Sequence, residues 1–391
     1  PCLKHSHVDI VGASRVKFVR LNFSWYNGEM ILRRFLSPLL CLASAMACFA
    51  QQPTSTTSSQ EARHRAELGV KAMQQWYESP VGLYKTTGWW NSANAITALT
   101  DFMRVSGSKQ YVGVLASTYK QAQITIPTEK RTDAKKERTG FPGFLNKYYD
   151  DEGWWALAWI DAYDLTHNPR YLTMAQSIFD DMAGGWDQTC GGGIWWSKDR
   201  NYKNAIANEL FFSVAAHLAT RISTAEGQTY GDWAAKEWQW FHSTGMINGD
   251  HLVNDGLVID KASGACRNNQ KTVWTYNQGV LIGALAEWSK TGGSADSDKT
   301  GILHEPCEPK CSADGIQFKG ILLRNLRDLS ALDPDPQSIR AFAVNADAIW
   351  TKSRTANNTF GVVWSGPPGE PDAGTQSSAL DALIAAAATT R

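Results

Sequence analysis

Tyr149-Asp150-Asp151-Glu152-Gly153-Trp154-Trp155 opens a stretch, 153–165, that is apolar on nearly every face, and Asn168-Pro169-Arg170-Tyr171-Leu172 then opens one, 169–183, with a single apolar stripe and a charged side. Apolar residues on most faces need burial on most faces, whereas one stripe suits a helix lying on the outside. The two stretches therefore read as a buried helix followed by an outer one. The alternation extends in both directions. Segments 92–105, 205–221, 279–289, 320–330 and 379–388 are of the buried kind, each led by a polar or aromatic cluster, and 60–77, 109–123, 230–243 and 337–352 are of the outer kind. Ser108-Lys109-Gln110-Tyr111-Val112 repeats the lead-in at Asn168, the mark of repeated helical hairpins. Six buried segments favour a closed ring over an irregular bundle or an open solenoid, so the expected fold is all-α, an (α/α)6 toroid of helical hairpins.

One outer helix is missing from this pattern. After Trp288-Ser289-Lys290-Thr291-Gly292-Gly293 the chain passes directly to Ser294-Ala295-Asp296-Ser297-Asp298-Lys299 and Gly301-Ile302-Leu303-His304-Glu305. Asp296, Asp298, Thr300 and Gly301 imitate the early positions of a calcium loop, but Cys307 stands where the closing glutamate belongs, and no calcium site is expected. The Gly-rich stretch 184–196 and the alternating stretch 253–260 read as rim loops with short β-hairpins, Asp255-Gly256 being a turn signal.

The chain has 391 residues with 38 basic and 38 acidic side chains and is 43% hydrophobic, which implies a globular protein with a sizeable core. The neutral balance, without a dense Lys/Arg stripe, argues against nucleic acid as a partner. Met30 to Ala50 has the layout of a secretion signal: Arg33-Arg34, an apolar run through Leu39-Leu40-Cys41-Leu42, and small residues at Ala47-Cys48-Phe49-Ala50. Pro38, Ser37 and Ser44 interrupt the run and speak against a membrane anchor. Residues 1–29 are an upstream segment of doubtful status, 51–59 a Ser/Thr-rich lead, and 60–391 one catalytic domain.

Of the seven cysteines, Cys2, Cys41 and Cys48 fall in the part that would be removed; Cys190, Cys266, Cys307 and Cys311 remain. An even number in an oxidising compartment predicts two disulfides, with Cys307–Cys311 closing a tight loop through Pro309 and Cys190–Cys266 tying two rim loops. The eight histidines are scattered without zinc spacing, and no metal or cofactor is expected. Asn357-Asn358-Thr359 is a glycosylation sequon.

An Asp-Asp pair before a helix is ordinarily an N-cap and a solvated first turn. Here Asp150 and Asp151 stand among aromatics, and Trp, at 17, outnumbers both Phe (14) and Tyr (12), which suits flat sugar faces as well as a Trp-rich core. Glycoside hydrolysis needs two such acids, one to protonate the departing oxygen and one to attack or to activate water. Like charges this close disfavour double ionisation, so one carboxyl keeps its proton to higher pH. If the six buried helices run parallel, Asn91, Asp150, Asp151, Asn208, Tyr276, Asn277, Gln278 and Lys319 meet at one mouth, in a cleft bordered by Trp90, Tyr149, Trp195 and Trp196.

These residues resemble glycoside hydrolase family 76, the endo-α-1,6-mannanases. The resemblance is carried by the motif from Tyr149 to Trp155 and by Gly88-Trp89-Trp90-Asn91-Ser92-Ala93-Asn94, Gly191-Gly192-Gly193-Ile194-Trp195-Trp196, Trp274-Thr275-Tyr276-Asn277-Gln278-Gly279 and Gln317-Phe318-Lys319-Gly320. It implies an (α/α)6 barrel, cleavage of internal α-1,6-mannosidic bonds with retention of configuration, Asp150 as nucleophile and Asp151 as acid/base. The expected partner is α-1,6-linked mannan or a mannooligosaccharide, with no membrane after signal cleavage and a monomeric protein. The C-terminus, Ala385-Ala386-Ala387-Ala388-Thr389-Thr390-Arg391, lacks the apolar tail of lipid-anchored relatives, so a secreted, extracellular or cell-wall-associated hydrolase is expected. The alternatives are a cell-wall glycan transglycosylase of the same family and a non-catalytic glycan-binding toroid.

Overall fold

The computed structural model describes residues 58–124, 140–222, 224–260, 262–290, 303–305 and 307–389. The upstream segment 1–29, the secretion signal 30–50, most of the 51–59 lead and the stretch with Asp296, Asp298 and Thr300 lie outside the described residues.

In chain order the helices are α1 (Ser59–Met73), α2 (Trp89–Ser106), α3 (Val112–Gln121), α4 (Tyr149–Thr166), α5 (Pro169–Ala183) and α6 (Ala205–Ala219). They continue with α7 (Thr224–Ser243), α8 (Thr275–Ser289), α9 (Phe318–Leu332), α10 (Pro336–Lys352) and α11 (Ala373–Thr389). α2 packs on α4, α4 on α6, α6 on α8, α8 on α9, α9 on α11, and α11 returns to α2, which closes a ring of six. Outside the ring, α1 covers α11 and α2, α5 covers α4 and α6, α7 covers α6, and α10 covers α9 and α11. The fold is the (α/α)6 toroid. No sixth outer helix occurs among the described residues.

Local sequence explains the division. α4 buries Trp154, Trp155, Ala156, Trp159, Ile160 and Ala162 around its whole circumference, whereas α5 buries the single stripe Tyr171, Leu172, Ala175, Ile178, Phe179 and Met182. The outer helices are started by side chains: Asn168 accepts from Arg170 N–H ahead of Pro169, and Asp335 accepts from Ser338 N–H ahead of Pro336.

Several boundaries differ from the sequence expectation; α3 runs over 112–121 rather than 109–123, and α7 starts at 224 rather than 230. α2, α4, α8, α9 and α11 begin at Trp89, Tyr149, Thr275, Phe318 and Ala373, before the apolar runs that start at 92, 153, 279, 320 and 379. The polar clusters are thus the first helical turn itself, because at that end of the ring their side chains find hydrogen-bond partners in loops and neighbouring helices and need not be apolar. α1 ends at Met73 rather than 77, and a 3-10 turn leads into the hairpin β1 (Tyr77–Glu78) and β2 (Leu83–Tyr84).

The rim hairpin pairs β3 (Leu257–Ile259) with β4 (Cys266–Asn268), Val258 facing Arg267. Its turn spans 260–265, where Asp260 accepts from Ala262 and Ser263 N–H; Asp255-Gly256 is not the turn. Gly256 is required for a close approach, since a Cβ there would lie 2.5 Å from the Tyr202 hydroxyl and 2.8 Å from Asn204 Cα. Both expected disulfides are present, Cys190–Cys266 and Cys307–Cys311. Among the described residues no helix is long and apolar enough to cross a membrane.

Candidate active site

The first turns of the inner helices meet at one mouth. Trp90 of α2 stacks on Trp154 of α4 with centroids 5.6 Å apart, Trp154 stacks on Tyr276 of α8 at 6.4 Å, and Tyr276 lies on Phe318 of α9 at 3.8 Å. Gln317 ties the same end of α2 to α11, accepting from Asn91 Nδ2 at 2.7 Å and donating to Ser377 Oγ at 2.6 Å. The last turns meet at the other mouth, where Arg104, Asp161, His217, Glu287 and Asp328, from or beside five inner helices, line a pit of about 480 Å³.

The segment ahead of α4 delivers the aspartates. Tyr148 is extended and bridges Ser197, and Tyr149 N–H donates to the Trp196 carbonyl at 3.0 Å, so the Trp195-Trp196 loop is pinned beside the helix start. Asp150 Oδ2 accepts from Trp196 Nε1 at 2.9 Å, and its Oδ1 accepts from Asp151 N–H at 3.1 Å. Asp151 Oδ2 accepts from Asn146 Nδ2 at 2.6 Å. Asn146 is itself fixed, accepting from Tyr148 N–H and donating its own N–H to Glu152 Oε1, each at 2.8 Å. Glu152 takes Lys198 at 2.8 Å, and Lys198 also reaches Asp181 at 2.8 Å.

No cation among the described residues pairs with Asp150 or Asp151. Burial raises both carboxyls above the usual range. Two N–H donors moderate the rise at Asp150, while at Asp151 the Asp150 charge adds to it. The pair therefore holds one proton more readily than none or two, with the ionised form favoured at Asp150. Burial pushes Glu152 up to about 8 in spite of Lys198. Asp314, at the mouth, accepts from Trp90 Nε1 at 3.1 Å and is also raised, first by burial. The Tyr276 phenol is raised by burial and then by Asp150.

Of the residues expected to line the cleft, Trp90, Asp150, Asp151 and Trp196 are partly exposed at this mouth, with Tyr276 beneath them. Others are brought near but spend their polar atoms inside the protein. Asn208 accepts from Ile194 N–H and donates to the Ile194 and Asn204 carbonyls; Gln278 accepts from Val253 N–H and donates to the Val253 and Trp274 carbonyls. Asn91 caps Gly88 N–H and binds Gln317; Lys319 is buried against Glu308, the Val362 carbonyl and the Trp364 ring. These four brace the walls of the cleft through those bonds. Trp195 is turned inward, its Nε1 on Asp187 at 2.8 Å and the buried Lys203 ammonium over its ring. The Tyr149 ring packs on Gly185 and below Lys198, facing the outer layer, because it precedes Asp150 by about 100° of helix rotation. Asn277 is fully buried with both amide atoms lacking a protein partner.

Sequence reasoning missed Asn146, Lys198, Asp314 and Lys203. Lys203 is buried with its ammonium on the carbonyls of Thr189, Gly192 and Gly193 and on the Asp187 carboxylate, an internal cation that gathers the Gly-rich loop. Gly193 permits this, with φ of +80° and a Trp240 atom 2.2 Å from where a Cβ would stand. A lysine amid polar loop residues carries no sequence sign of such a role; Asn146, two residues before a Tyr-Tyr-Asp-Asp run, was the detectable one.

The sequence profile of Glycosyl hydrolase family 76 matches residues 61–391. The chain belongs to that family. It is 30% identical over 275 residues to mannan endo-1,6-alpha-mannosidase DCW1 of Saccharomyces cerevisiae, covering 60% of this chain and 59% of that protein. To mannan endo-1,6-alpha-mannosidase DFG5 of Candida albicans it is 25% identical over 374 residues, covering 82% and 78%. The matched part thus spans less than two thirds of the Saccharomyces cerevisiae relative. The fold superposes with a TM-score of 0.71 and 23% identity on an alpha-1,6-mannanase of Salegentibacter sp. HEL1_6, covering 83% of this chain and 99% of that one. That structure is an inactive variant with two consecutive aspartates changed to asparagine, in complex with alpha-1,6-mannotriose. A second neighbour, Dfg5 from Chaetomium thermophilum in complex with glucosamine, superposes with a TM-score of 0.68 at 21% identity, covering 86% and 92%.

Proposed function

We propose that this family 76 glycoside hydrolase cuts internal α-1,6-mannosidic bonds of mannan with retention of configuration, with Asp150 as nucleophile and Asp151 as acid/base. The observation that carries this reading is the pair itself: adjacent carboxyls at an aromatic-lined mouth, without a cation partner, one steadied as an anion by two N–H donors and the other held towards its protonated form. The Salegentibacter structure supports it, since the variant of that alpha-1,6-mannanase with two consecutive aspartates changed to asparagine is inactive and holds alpha-1,6-mannotriose.

In the first step the Asp150 carboxylate attacks the anomeric carbon as the bond to the leaving O6 breaks; the bonding electrons stay on O6, which takes the Asp151 proton. In the second, Asp151 takes a proton from water, the water oxygen attacks the same carbon, and Asp150 leaves as a carboxylate. Trp90, stacked on Trp154, and Trp196, held on Asp150, offer flat faces for neighbouring sugar rings.

We also infer one catalytic domain from residue 60 onward, and secretion or cell-wall location, on the strength of the 30–50 segment and two disulfides. Transfer of the glycosyl group to a sugar acceptor instead of water is the second reading, favoured by the sugar complex of the Chaetomium Dfg5 neighbour. Incubation with unbranched α-1,6-mannan, product sizing and proton NMR of the first-formed anomer test the reaction. A ladder of shorter chains released as α-anomers is expected; longer products would indicate transfer, β-anomers would rule out retention, and intact mannan would leave a binding module.

A further inference from the structure

We propose that Asn146 is a positioning residue for the acid step, fixing which oxygen of Asp151 carries the proton; this rests on the assignment of Asp151 as acid/base. Asn146 lies ahead of α4, and its amide has no freedom to flip. Its Oδ1 is committed as acceptor to Tyr148 N–H at 2.8 Å, so the group facing Asp151 Oδ2 at 2.6 Å is the Nδ2 donor. The Asn146 backbone is anchored in turn by Glu152, which is fully buried and braced by Lys198. An oxygen that permanently accepts an N–H bond is the poorer place for a proton. The proton therefore resides on Oδ1, which takes no hydrogen bond from any described residue and is left for the glycosidic oxygen.

The charged groups around Asp151 are Asp150 and Glu152 on its own helix, Asp314 from the loop before α9, Lys198 on the far side of Glu152, and the Tyr276 phenol of α8 towards Asp150. All the near ones are acidic or neutral. The Asn146 amide is thus the one neighbour in contact with Asp151 that favours its ionised form, and its loss raises the pH at which Asp151 gives up its proton.

The test compares Asn146→Ser and Asn146→Ala with the parent on unbranched α-1,6-mannan and on an aryl α-1,6-mannobioside with a good leaving group. Asn146→Ser keeps an uncharged side-chain acceptor for the N–H two residues on and is too short to donate to Asp151, so it is the variant to trust should Asn146→Ala unfold. Expected are a loss of kcat on mannan of about 10²-fold with KM little changed, a loss of only about 3-fold on the aryl substrate, whose departure needs no acid, and an alkaline limb of the pH–rate profile moved to higher pH. Equal losses on both substrates with an unmoved alkaline limb would overturn the proposal and leave a structural role. Asp151→Asn is assayed alongside: if it too hits both substrates equally in the first step, the Asp151 assignment fails, whereas leaving-group dependence in Asp151→Asn alone sinks only the role of Asn146.

Discussion

Asp150 and Asp151 stand in the first turn of α4, Asp161 and Asp164 in its last two turns, and the two ends of this one helix surround their carboxylates differently: no described cation pairs with the first two, while each of the second two has an arginine, although burial still raises Asp161 to about 6. At the far end Asp161 meets Arg104 at 2.9 Å and Asp164 meets Arg221 at 2.7 Å, and the pairing spreads around the ring through Arg221–Glu287 at 2.8 Å, Arg104–Asp101 at 3.0 Å and Arg327–Asp101 at 2.9 Å. Burial would raise Glu287 and Asp101, but the neighbours, Arg221, Lys290 and Thr220 for the first and Arg327 and Arg104 for the second, outweigh it, so both carboxyls lie below their ordinary values. At the near end burial has no such opponent, and both aspartates rise. Unneutralised acid at one mouth is a cost that stability alone would not retain; a matched lattice at the other is what a closed ring of helices tolerates.

The comparison breaks first at the near end. Asp150→Asn and Asp151→Asn should each lower kcat/KM on α-1,6-mannan by about 10³-fold or more while leaving the melting temperature unchanged or higher, since an acid without a cation partner is removed. Kinetics and thermal melting on the same preparations check this, and an asparagine variant that lost stability along with activity would put the pair back among structural groups.

At the far end the outcome should invert. Arg327→Ala takes from the buried Asp101 carboxylate one of its two arginine partners, leaving Arg104, and should cost about 2 kcal/mol of unfolding free energy, read from urea denaturation. Mannotriose affinity of the folded fraction should not move, and a fall in affinity would mean the two mouths are coupled.

The smallest effect is on pH. Burial raises Glu152 to about 8 and both Asp381 and Glu305 to about 7, so from about pH 4.5 to 8 the folded chain keeps protons that the unfolded chain has released. Stability falls with rising pH wherever the native state binds more protons, so it is lost as pH climbs through this window. His217, lowered to about 4 by burial, acts the other way between there and its ordinary value near 6.5, which places the expected maximum on the acid side of neutrality. Melting curves should show a drop of several degrees from pH 6 to pH 8, since each group that stays protonated only in the folded chain costs about 1.4 kcal/mol per pH unit. Glu152→Gln should flatten the drop, and a melting temperature that rises across this range would contradict the assignment of the near-mouth acids as protonated.

The fold was legible because the alternation of all-round apolar and single-stripe segments survives in one dimension, and so were both disulfides, whose four cysteines sit in loops that such a ring brings together. The aspartate pair was legible from its aromatic setting. Legibility stopped at the first turn of each inner helix, where Asn91, Gln278 and Lys319 look like sugar ligands but are consumed by Gln317, Val253 and Glu308. Residues there differ from their neighbours by about 100° of rotation, and that angle separates Asp150 in the cleft from Tyr149 under the outer layer.

The sequence by itself therefore determined the helical count, the buried and outer layers, the oxidised cysteines and the acids worth suspecting, because hydrophobic period and residue chemistry are local properties. Only the tertiary structure decided which polar groups remain free at the mouth, since a hydrogen-bonding side chain is available to a substrate only if no partner brought in from elsewhere in the chain already holds it. Asn146, Trp196 and Asp314 come from three different loops, and their meeting around Asp150 and Asp151 exists only after the ring has closed.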